Sequence, residues 1–507
     1  RRPVLLARGR TRHRRRHLAL VPVDWIENIR LVDGPVLWIA WAAGAAGGAY
    51  LLWPRRRPAL GPGSGREVRR VMTRAAALLC AAVLLAVALV AGVHWLLIYA
   101  VAVFPGELPR ETLAWSVPAV AAVLLWLLRL HGIWRHGIWR RGSGRRRSGR
   151  RTSRPDATGP GAARSGGRGT RSWRSTAIAT AAFLSVFALS AVQINAYFGL
   201  NHSVSDLMGT AVARIQPLGA ELKRLPGAAP AVSLAQWRAP AGQTAGVIRR
   251  AEIPGPASGF SSREAYVYLP PAYLSLPRPV LPVLVLFSGQ PGGPSDWLTG
   301  GALRSRLDRF AAEHGGVAPV VVVVDPNGTP SGNTLCMDSR IARADTFLAR
   351  DVPAWIKQTL DVDPNPERWA AGGFSFGATC AMQMVTRHPD VYSAALAFSS
   401  ENEPALAKER DKTVQASFGG DVGAFDRQTP LQLMREQRYE GRAVYFGAGE
   451  RDPEFVGYMD QLSAAARSAG FTVEAHRIPH AGHSWEAASA GLPGGLEFLA
   501  ERWGLQP

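Results

Sequence analysis

Cysteine is scarce in this chain, and the motifs of common cofactor sites are missing. Only three cysteines occur among 507 residues, and no group of His, Cys, Asp and Glu has the spacing of a metal site. The sequence also lacks a P-loop and a dinucleotide-binding fingerprint. We therefore expect a protein that uses neither a metal nor a cofactor.

Acidic residues are also scarce, but only in two segments of the chain. Residues 1–17 contain eight arginines and no acid, and residues 129–174 contain fourteen arginines against Asp156 alone. These segments account for the whole net charge of +21. A DNA-binding face would lie on a folded domain, whereas this charge lies in a tail and in a linker rich in Gly, Ser and Pro. We predict no nucleic-acid partner and a disordered cytoplasmic linker attracted to anionic lipid headgroups.

Charge of either sign is missing from four long apolar runs in the first 200 residues. Each run is close to the length that crosses the hydrocarbon core of a bilayer. Tryptophans lie near the run ends, as interfacial aromatic residues do. Buried core helices are the alternative, which four consecutive uncharged runs disfavour. The predicted transmembrane helices, which make a lipid bilayer the expected partner, are Pro35–Trp53, Ala75–Val103, Thr112–Leu128 and Ser175–Phe198.

The basic loops orient these helices in the membrane. Residues 54–74 and 129–174 are rich in arginine, whereas the loop 105–111 is slightly acidic. By the positive-inside rule, the two basic segments are cytoplasmic, and the acidic loop and everything after residue 200 are extracytoplasmic. The arginine-rich residues 1–17 do not suit the outer side, where this orientation places the N-terminus. Because the chain begins with Arg, we interpret its first ~20 residues as a mis-set start or an unstructured extension.

The predicted organisation is a multi-pass protein of the cell membrane with one external domain at its end. Only the fourth transmembrane helix separates the arginine-rich linker from the external part. The expected segments are an N-terminal extension (1–34), three transmembrane helices with loops (35–128), the linker (129–174), the fourth helix (175–198), an extracytoplasmic connector (199–245) with one helix over Val204–Leu225, and the domain (246–507).

After residue 245 the pattern changes to strands that alternate with amphipathic helices. The apolar stretches VLPVLVLF and VVVVV are typical of strands buried on both faces of a sheet. This alternation predicts a doubly wound, mostly parallel sheet that binds ligands at the carboxyl ends of its strands. The predicted strands are Gly246–Ile253, Ala265–Leu269, Val280–Phe287, Val317–Val324, Trp369–Gly373, Ala394–Phe398, Ala443–Phe446 and Thr472–Ile478, and the predicted helices are Trp297–Glu313, Ala344–Leu360, Phe376–His388, Pro453–Ala469 and Trp485–Trp503.

The pentapeptide Gly-Phe-Ser-Phe-Gly at residues 373–377 is the main candidate for chemistry. A chain with 53 glycines can contain G-x-S-x-G by chance. The elements on either side of the pentapeptide must therefore show whether it is a nucleophile elbow. RWAAGG is a predicted strand, and FGATCAMQMVTRH is a predicted helix that ends before Pro389. Ser375 therefore lies on the strand-to-helix turn that a nucleophile elbow requires. The alternative is a structural serine on a turn.

A serine nucleophile needs a base and an orienting acid. In this fold both follow the serine, the acid first. His483 in PHAGHSW comes directly after the last predicted strand, and His480 is the alternative base. Asp452 in GAGERDPEF follows the preceding strand, and Glu450 is the alternative acid.

The oxyanion hole is expected to use two backbone amides. The loop SGQPGGPSDW follows the strand VLVLF, and its glycines permit an amide to face the substrate. We predict the amides of Gln290 and Phe376. Ser288, Asp296 and Trp297 are expected to be loop and helix-cap residues.

Five motifs together resemble the putative-esterase family of α/β-hydrolases. They are YLPPAY, FSGQPGGPSDW, GFSFG, GAGERDPEF and HAGHSW, within residues 245–503. The family includes esterase D-type enzymes and the mycolyltransferases of mycobacterial envelopes. The resemblance implies that its nucleophile falls on Ser375, its histidine on His483 and its acid on Asp452 or Glu450.

The chain departs from that family in two respects. Many hydrolases have His-Gly where this chain has Ser288-Gly289, which affects the oxyanion loop but not the triad. The four-helix anchor is unlike the secreted mycolyltransferases. It resembles membrane-tethered actinobacterial esterase-like proteins.

The two cysteines of the external domain are predicted to form a disulfide. Cys336 follows the strand VVVVV and its DPNG turn, and Cys380 lies five residues beyond Ser375. We expect these two strands to be neighbours in the sheet, with both cysteines beside the site, and an external location favours oxidation. Two separate buried thiols are the alternative. Cys80, in the second apolar run, is expected to be an inert apolar residue.

The sequence thus predicts a membrane-anchored serine esterase or acyltransferase of the cell envelope with an acyl-serine intermediate. Its substrate would be an acyl ester, with envelope lipids or glycolipids as one class. Residues 401–440 contain no recognisable motif but are expected to form much of the acyl and acceptor pocket. The alternative is a non-catalytic envelope binding protein that retains the hydrolase fold.

Overall fold

A computed structural model describes residues 24–52, 65–101, 105–142, 169–224, 232–234, 237 and 245–505. Most of the predicted N-terminal extension, up to residue 23, lies outside the described residues. So does most of the arginine-rich linker, from residue 143 to 168.

Four helices in the first 200 residues are long and apolar enough to cross a membrane. They contain most of the four apolar runs, in which Ala and Leu have high helix propensity. The third helix extends to Gly142 and the fourth begins at Gly169, so the prediction of a disordered linker over residues 129–174 is wrong for those two ends. A π-helical turn, Leu96–Ala100, extends the second helix, and a short helix, Asp24–Glu27, precedes the first. The four are α1 (Pro35–Leu52), α2 (Gly65–Trp95), α3 (Arg110–Gly142) and α4 (Gly169–Phe198).

Helices α1 and α4 pack closely because α1 presents glycines at their contact. A Cβ atom at Gly47 would lie 2.1 Å from the Ser185 hydroxyl and 2.5 Å from the Ala182 carbonyl oxygen. Small residues at a helix contact allow such close backbone approach.

The connector does not form the predicted helix over Val204–Leu225. It contains two helical turns and a 3₁₀ turn, at Val204–Leu207, Thr210–Ala213 and Ala220–Leu222. Gly209 adopts a left-handed conformation (φ 67°), which ends the first turn. The prediction of one helix is therefore wrong, because glycine and Pro217 interrupt the segment.

One eight-stranded sheet forms the frame of the C-terminal domain. Its strands are β1 (Val247–Ala251), β2 (Ala265–Leu269), β3 (Val283–Phe287), β4 (Val320–Val324), β5 (Trp369–Phe374), β6 (Ala394–Phe398), β7 (Ala443–Gly449) and β8 (Thr472–Ile478). Their order is β1-β2-β4-β3-β5-β6-β7-β8. Strands β3 to β8 run parallel, and β2 runs antiparallel between β1 and β4. The predicted mostly parallel sheet is confirmed.

The strands β4 and β5 are not neighbours, contrary to the prediction. Strand β3 lies between them, with Val285 opposite Val322 on one side and Ala371 on the other. The chain leaves β3 for β4 on one side and then returns past β3 to β5. The winding direction therefore reverses beside β3, a reversal that strand patterning alone does not reveal.

Two strands begin later than predicted because a proline precedes each of them. Strand β3 begins after Pro282 and β4 after Pro319. Proline has no N–H to donate to a neighbouring strand, which ends the ladder there.

Helices cover both faces of the sheet. The predicted helix Trp297–Glu313 is in fact a 3₁₀ turn, Pro294–Trp297, and a separate helix from Leu303. The predicted helix Ala344–Leu360 contains a short helical turn, Ala344–Thr346, and a π-helical turn, Phe347–Asp351. Two further 3₁₀ turns are Pro271–Leu274 and Pro366–Arg368. The helices are α5 (Leu303–Glu313), α6 (Val352–Thr359), α7 (Phe376–Arg387), α8 (Arg410–Phe418), α9 (Val422–Asp426), α10 (Pro430–Glu436), α11 (Pro453–Ser468) and α12 (Trp485–Trp503).

The core lies in two layers, one on each side of the sheet. Val320, Val322 and Val324 of β4 pack with α6, α7 and α11, while Val321 and Val323 pack with α5 and α12. Side chains alternate between the faces of a strand, so a continuous valine run supplies both layers.

Candidate active site

Ser375 occupies a sharp turn between β5 and α7. Its backbone has φ 56° and ψ −123°, a conformation that costs free energy for a residue with a side chain. A Cβ at Gly373 would lie 2.1 Å from the carbonyl carbon of Gly377, and one at Gly377 would lie 2.3 Å from the Phe287 carbonyl oxygen. Both glycines of the pentapeptide are therefore needed for strand and helix to approach this closely.

A chain of two hydrogen bonds joins Ser375 to a histidine and an acid. The Ser375 Oγ lies 2.9 Å from the His483 Nε2, and the His483 Nδ1 lies 3.0 Å from the Asp452 Oδ2. When Nδ1–H donates to a carboxylate, the Nε2 of a neutral imidazole is free to accept the serine proton. The three groups are thus arranged for the serine to lose its proton to His483.

Two loops at the carboxyl edge of the sheet supply the histidine and the acid. Asp452 follows β7 and caps α11, with its carboxylate accepting the Phe455 N–H at 3.5 Å. His483 follows β8, just before α12 begins at Trp485. Because parallel strands end at the same edge, residues more than 70 positions from Ser375 reach its side chain.

The alternative base and acid contact each other and not Ser375. The Glu450 Oε2 accepts a hydrogen bond from the backbone N–H of His480 at 3.2 Å. Both side chains are exposed. Within the described ranges, neither side chain hydrogen-bonds to Ser375 or His483.

Aromatic rings flank His483, and sequence reasoning missed them. The Phe455 ring lies 3.9 Å from the imidazole, centroid to centroid, and the Phe374 ring lies 5.2 Å away. Trp485 packs on Phe374 at 5.1 Å. These contacts limit the rotation of the imidazole, whose side chain is 22% exposed. Phe374 immediately precedes Ser375, and Phe455 lies in the first turn of α11. Only the fold brings these two positions together.

The two predicted oxyanion amides lie on elements that border Ser375. Phe376 is the first residue of α7, so its N–H has no acceptor within the helix. Gln290 lies in the loop after β3, and that loop is held from several sides. The Arg263 guanidinium donates to the Gly292 carbonyl at 2.7 Å, and the Gly292 N–H donates to the Pro330 carbonyl at 2.9 Å.

Asp296 and Trp297 form structural hydrogen bonds in the loop after β3, whereas the Ser288 side chain forms none with the described residues. The Asp296 carboxylate accepts the Gly293 N–H at 2.9 Å, and burial raises the pKa of this carboxyl. The Trp297 Nε1–H donates to the Phe287 carbonyl at 2.9 Å. The Ser288 hydroxyl is buried and has no partner among the described residues.

Glu401 is a second carboxyl group near Ser375, beside α7, and no sequence motif marks it. Its Oε2 lies 3.4 Å from the Thr379 Oγ1, and Thr379 donates its N–H to the Ser375 carbonyl. Burial, with a smaller contribution from the nearby Glu454, raises the pKa of Glu401 to about 8, although the hydrogen bond from Thr379 opposes this shift. This carboxyl is therefore neutral at pH 7 and able to donate a hydrogen bond.

The segment 401–440 contains three helices and no strand. Helices α8, α9 and α10 lie within it, and α10 packs on α7 and α11. Val414 and Phe425 form a small core with Leu335 and Met337. The segment is therefore fixed to the loop that carries Cys336.

The predicted Cys336–Cys380 disulfide is present. The two Cα atoms lie 5.5 Å apart, and both residues are buried. The bond joins the loop after β4 to α7, although β3 separates β4 from β5. The pairing is confirmed, while the reasoning from neighbouring strands is not. Among the described residues, no group of three or more His, Cys, Asp and Glu could hold a metal ion.

Comparisons with known proteins find similarity in the C-terminal domain. Residues 260–499 match the family described as Putative esterase. A protein of Corynebacterium glutamicum, itself described as uncharacterized, is 38% identical over 255 residues, which cover 49% of this chain and 59% of that protein. The chain thus spans less than two thirds of that relative's length.

Solved structures also resemble this domain. A ferulic acid esterase shares 18% identity, covering 52% of this chain and 100% of its own, with a TM-score of 0.44. The S-formylglutathione hydrolase from Agrobacterium tumefaciens shares 19% identity, covering 52% of this chain and 97% of its own, with a TM-score of 0.42.

Proposed function

We propose that this protein, whose residues 260–499 match the family described as Putative esterase, is a serine carboxylic-ester hydrolase or acyltransferase anchored in the cell membrane. The resemblance that the motifs predicted is confirmed by that match. The observation that carries the proposed activity is the hydrogen-bonded chain Ser375–His483–Asp452, at 2.9 and 3.0 Å.

The first half of the reaction forms an acyl-enzyme. The Ser375 Oγ attacks the ester carbonyl carbon while the His483 Nε2 takes the hydroxyl proton, and Asp452 stabilises the resulting imidazolium. The amides of Phe376 and Gln290 donate to the oxyanion. The carbon–oxygen bond to the alcohol then breaks, and His483 returns its proton to the departing alcohol.

The second half of the reaction releases the acyl group. Water or an acceptor hydroxyl gives its proton to His483 and attacks the acyl-Ser375 carbonyl, and Ser375 recovers a proton as it leaves. Hydrolysis yields an acid, and acyl transfer yields a new ester. The product profile of the purified protein, with and without added alcohols, distinguishes the two.

A fluorophosphonate probe tests the nucleophile directly. The Ser375 Oγ would displace fluoride from phosphorus and form a stable phosphonate ester, so wild type should be labelled and Ser375→Ala should not. The exposed Ser305 provides a matched serine-to-alanine control that should still be labelled. An unlabelled wild type, with the control equally silent, would favour a non-catalytic envelope binding protein.

The four apolar helices support a membrane anchor with the esterase domain outside the cell. The arginines of 54–74 and 129–174 support that orientation by the positive-inside rule. A reporter that is active only in the cytoplasm should be active when fused after residue 160 and silent at the C-terminus. The reverse pattern would place the domain inside the cell.

A further inference from the structure

Two tyrosines occupy equivalent places at the ends of two apolar helices. Tyr99 is the second-to-last residue of the apolar span Ala76–Ala100, and Tyr197 is the second-to-last residue of Trp173–Phe198. Both spans end on the side proposed to be extracytoplasmic. Tyrosine favours the headgroup level of a bilayer. The two side chains therefore mark one depth, that of the outer lipid headgroups.

Tyr197 touches the loop that carries His483. A Cβ at Gly482 would lie 2.8 Å from the Tyr197 hydroxyl, so a larger residue before the histidine would displace the Tyr197 ring. The Asn195 side chain donates to the Asn201 carbonyl at 2.8 Å and fixes the turn at the exit of α4. One wall of the site therefore rests on the end of α4.

Tyr99 contacts the segment 401–440, on another side of the site from the His483 loop. The Lys408 Nζ donates to the Tyr99 hydroxyl at 2.7 Å, and the Lys412 Nζ donates to the Tyr99 carbonyl at 3.1 Å. The loop after α2 joins this contact through Glu107, which pairs with Lys408 and accepts from the Tyr99 hydroxyl at 2.8 Å.

The ion pair between Glu107 and Lys408 joins the segment 401–440 to the loop after α2. Hydrogen bonding from Lys408 lowers the pKa of Glu107 to about 2. Lys408 lies seven residues after Glu401, whose carboxyl group approaches the nucleophile helix. The His483 loop and the Glu401 segment are thus both held at the depth of the lipid headgroups.

We propose that the site opens at the membrane surface between these two contacts and takes its acyl group from a lipid ester in the outer leaflet. This inference rests on the proposed esterase or acyltransferase function. The ester carbonyls of membrane lipids lie between the headgroups and the chains, which is the depth that the two tyrosines mark. The acyl group passes from the lipid oxygen to the Ser375 Oγ, and the lipid alcohol leaves with the proton that His483 took from Ser375.

The depth of the site is measurable without turnover. The full chain is reconstituted in vesicles of phosphatidylglycerol and phosphatidylethanolamine, and Ser375 is labelled with a dansyl fluorophosphonate. We expect quenching by a lipid that carries a spin label on its headgroup, and weak quenching by aqueous iodide. Quenching by iodide alone would overturn the inference. Failure of the label to attach would count against the proposed function itself.

Charge reversal tests whether the docking contact directs lipid substrates to the site. The readout is the ratio of two turnovers, that of 4-methylumbelliferyl oleate embedded in the vesicles to that of 4-methylumbelliferyl acetate in solution. Glu107→Lys and Lys408→Glu should each lower the ratio about tenfold, the effect of losing a charge-assisted hydrogen bond. The double variant, which restores the opposite charges, should recover it.

The exposed Asp411 supplies the matched control on the same segment. Asp411→Lys makes the same change of charge as Glu107→Lys and should leave the ratio unchanged. An unchanged ratio in both single variants, or an equal fall in the control, would overturn the inference. If wild type turned over neither ester, the proposed function would be wrong.

Discussion

The four apolar helices and the C-terminal domain differ in how much of their large apolar side chains they leave exposed. In the helices, Trp38 is 77% exposed and Leu84 is 69% exposed, whereas Trp297 and Trp503 of the domain are at most 2% exposed. The domain buries Trp297 and Trp503 in its core, whereas the helices leave Trp38 and Leu84 exposed. The domain therefore has a core of its own, whereas the helices leave an apolar surface that the proposed membrane anchor would place against lipid.

This difference separates the effects of substitutions in the two regions. A change at the proposed triad should remove activity without disturbing the helices, and a change in the helices should leave the domain core intact. Activity, domain stability and membrane insertion are therefore independent measurements on one chain.

Ser375→Ala should have the largest effect. The substitution removes a hydroxyl at a position whose backbone is set by Gly373 and Gly377, so the fold should persist. Turnover of p-nitrophenyl esters should fall on the order of 10³-fold or more, because no other group attacks the carbonyl. Detergent-extracted protein should keep its circular dichroism spectrum, and near-normal turnover would rule out Ser375 as the nucleophile.

His483→Ala should be as damaging as the serine change, because the two act as one unit and their effects do not add. Asp452→Asn should cost roughly one to two orders of magnitude less, since it removes the orienting charge but leaves the base. Glu450→Gln is the matched control, and kcat/KM should stay near wild type. A crippled Glu450→Gln enzyme would instead make Glu450 the acid.

Much of this site follows from the sequence because parallel strands end at one edge. The pattern of strands placed Ser375, Asp452 and His483 on three loops of that edge, and the fold brings them within hydrogen-bonding distance. The choice of Asp452 over Glu450 depends on how the chain turns after β7. That turn points Glu450 toward the His480 backbone, which local patterning does not reveal.

Other parts of the site depend on packing between distant segments. Phe455 and Glu401 approach the nucleophile through loops whose paths the hydrophobic pattern leaves open. The order of β4, β3 and β5 is likewise a matter of how crossovers pack, since each strand is equally apolar. The disulfide was predicted correctly because only two cysteines lie in the domain, while the strand order used to justify it was wrong.

Removal of the disulfide should weaken the domain and not the helices. The Cys336→Ala/Cys380→Ala variant loses a cross-link over a sequence separation of 44 residues. In the chain-entropy model this lowers the free energy of unfolding by about 3–4 kcal/mol. Urea unfolding of the full chain in detergent, followed by tryptophan fluorescence, measures the shift in midpoint.

The third cysteine provides the control for that experiment. Cys80 lies in α2 and is not bonded to another cysteine, so Cys80→Ala should leave the midpoint unchanged. An equal shift in both variants would mean that the helices and the domain unfold as one unit.

The smallest effect should be a pH dependence that originates at Glu401. Burial raises its pKa to about 8, above the ordinary value near 4.3 in an unfolded chain. The folded protein therefore binds this proton more tightly, and the stability that it contributes is full below about pH 4 and is lost as pH rises through 8. Glu401→Gln keeps the shape and removes the charge, so the urea midpoint should fall less steeply between pH 5 and 9. Glu440→Gln, exposed before β7, should keep the wild-type slope. Equal slopes in all three proteins would mean that the Glu401 carboxyl is ionised in the fold and is solvated in the site.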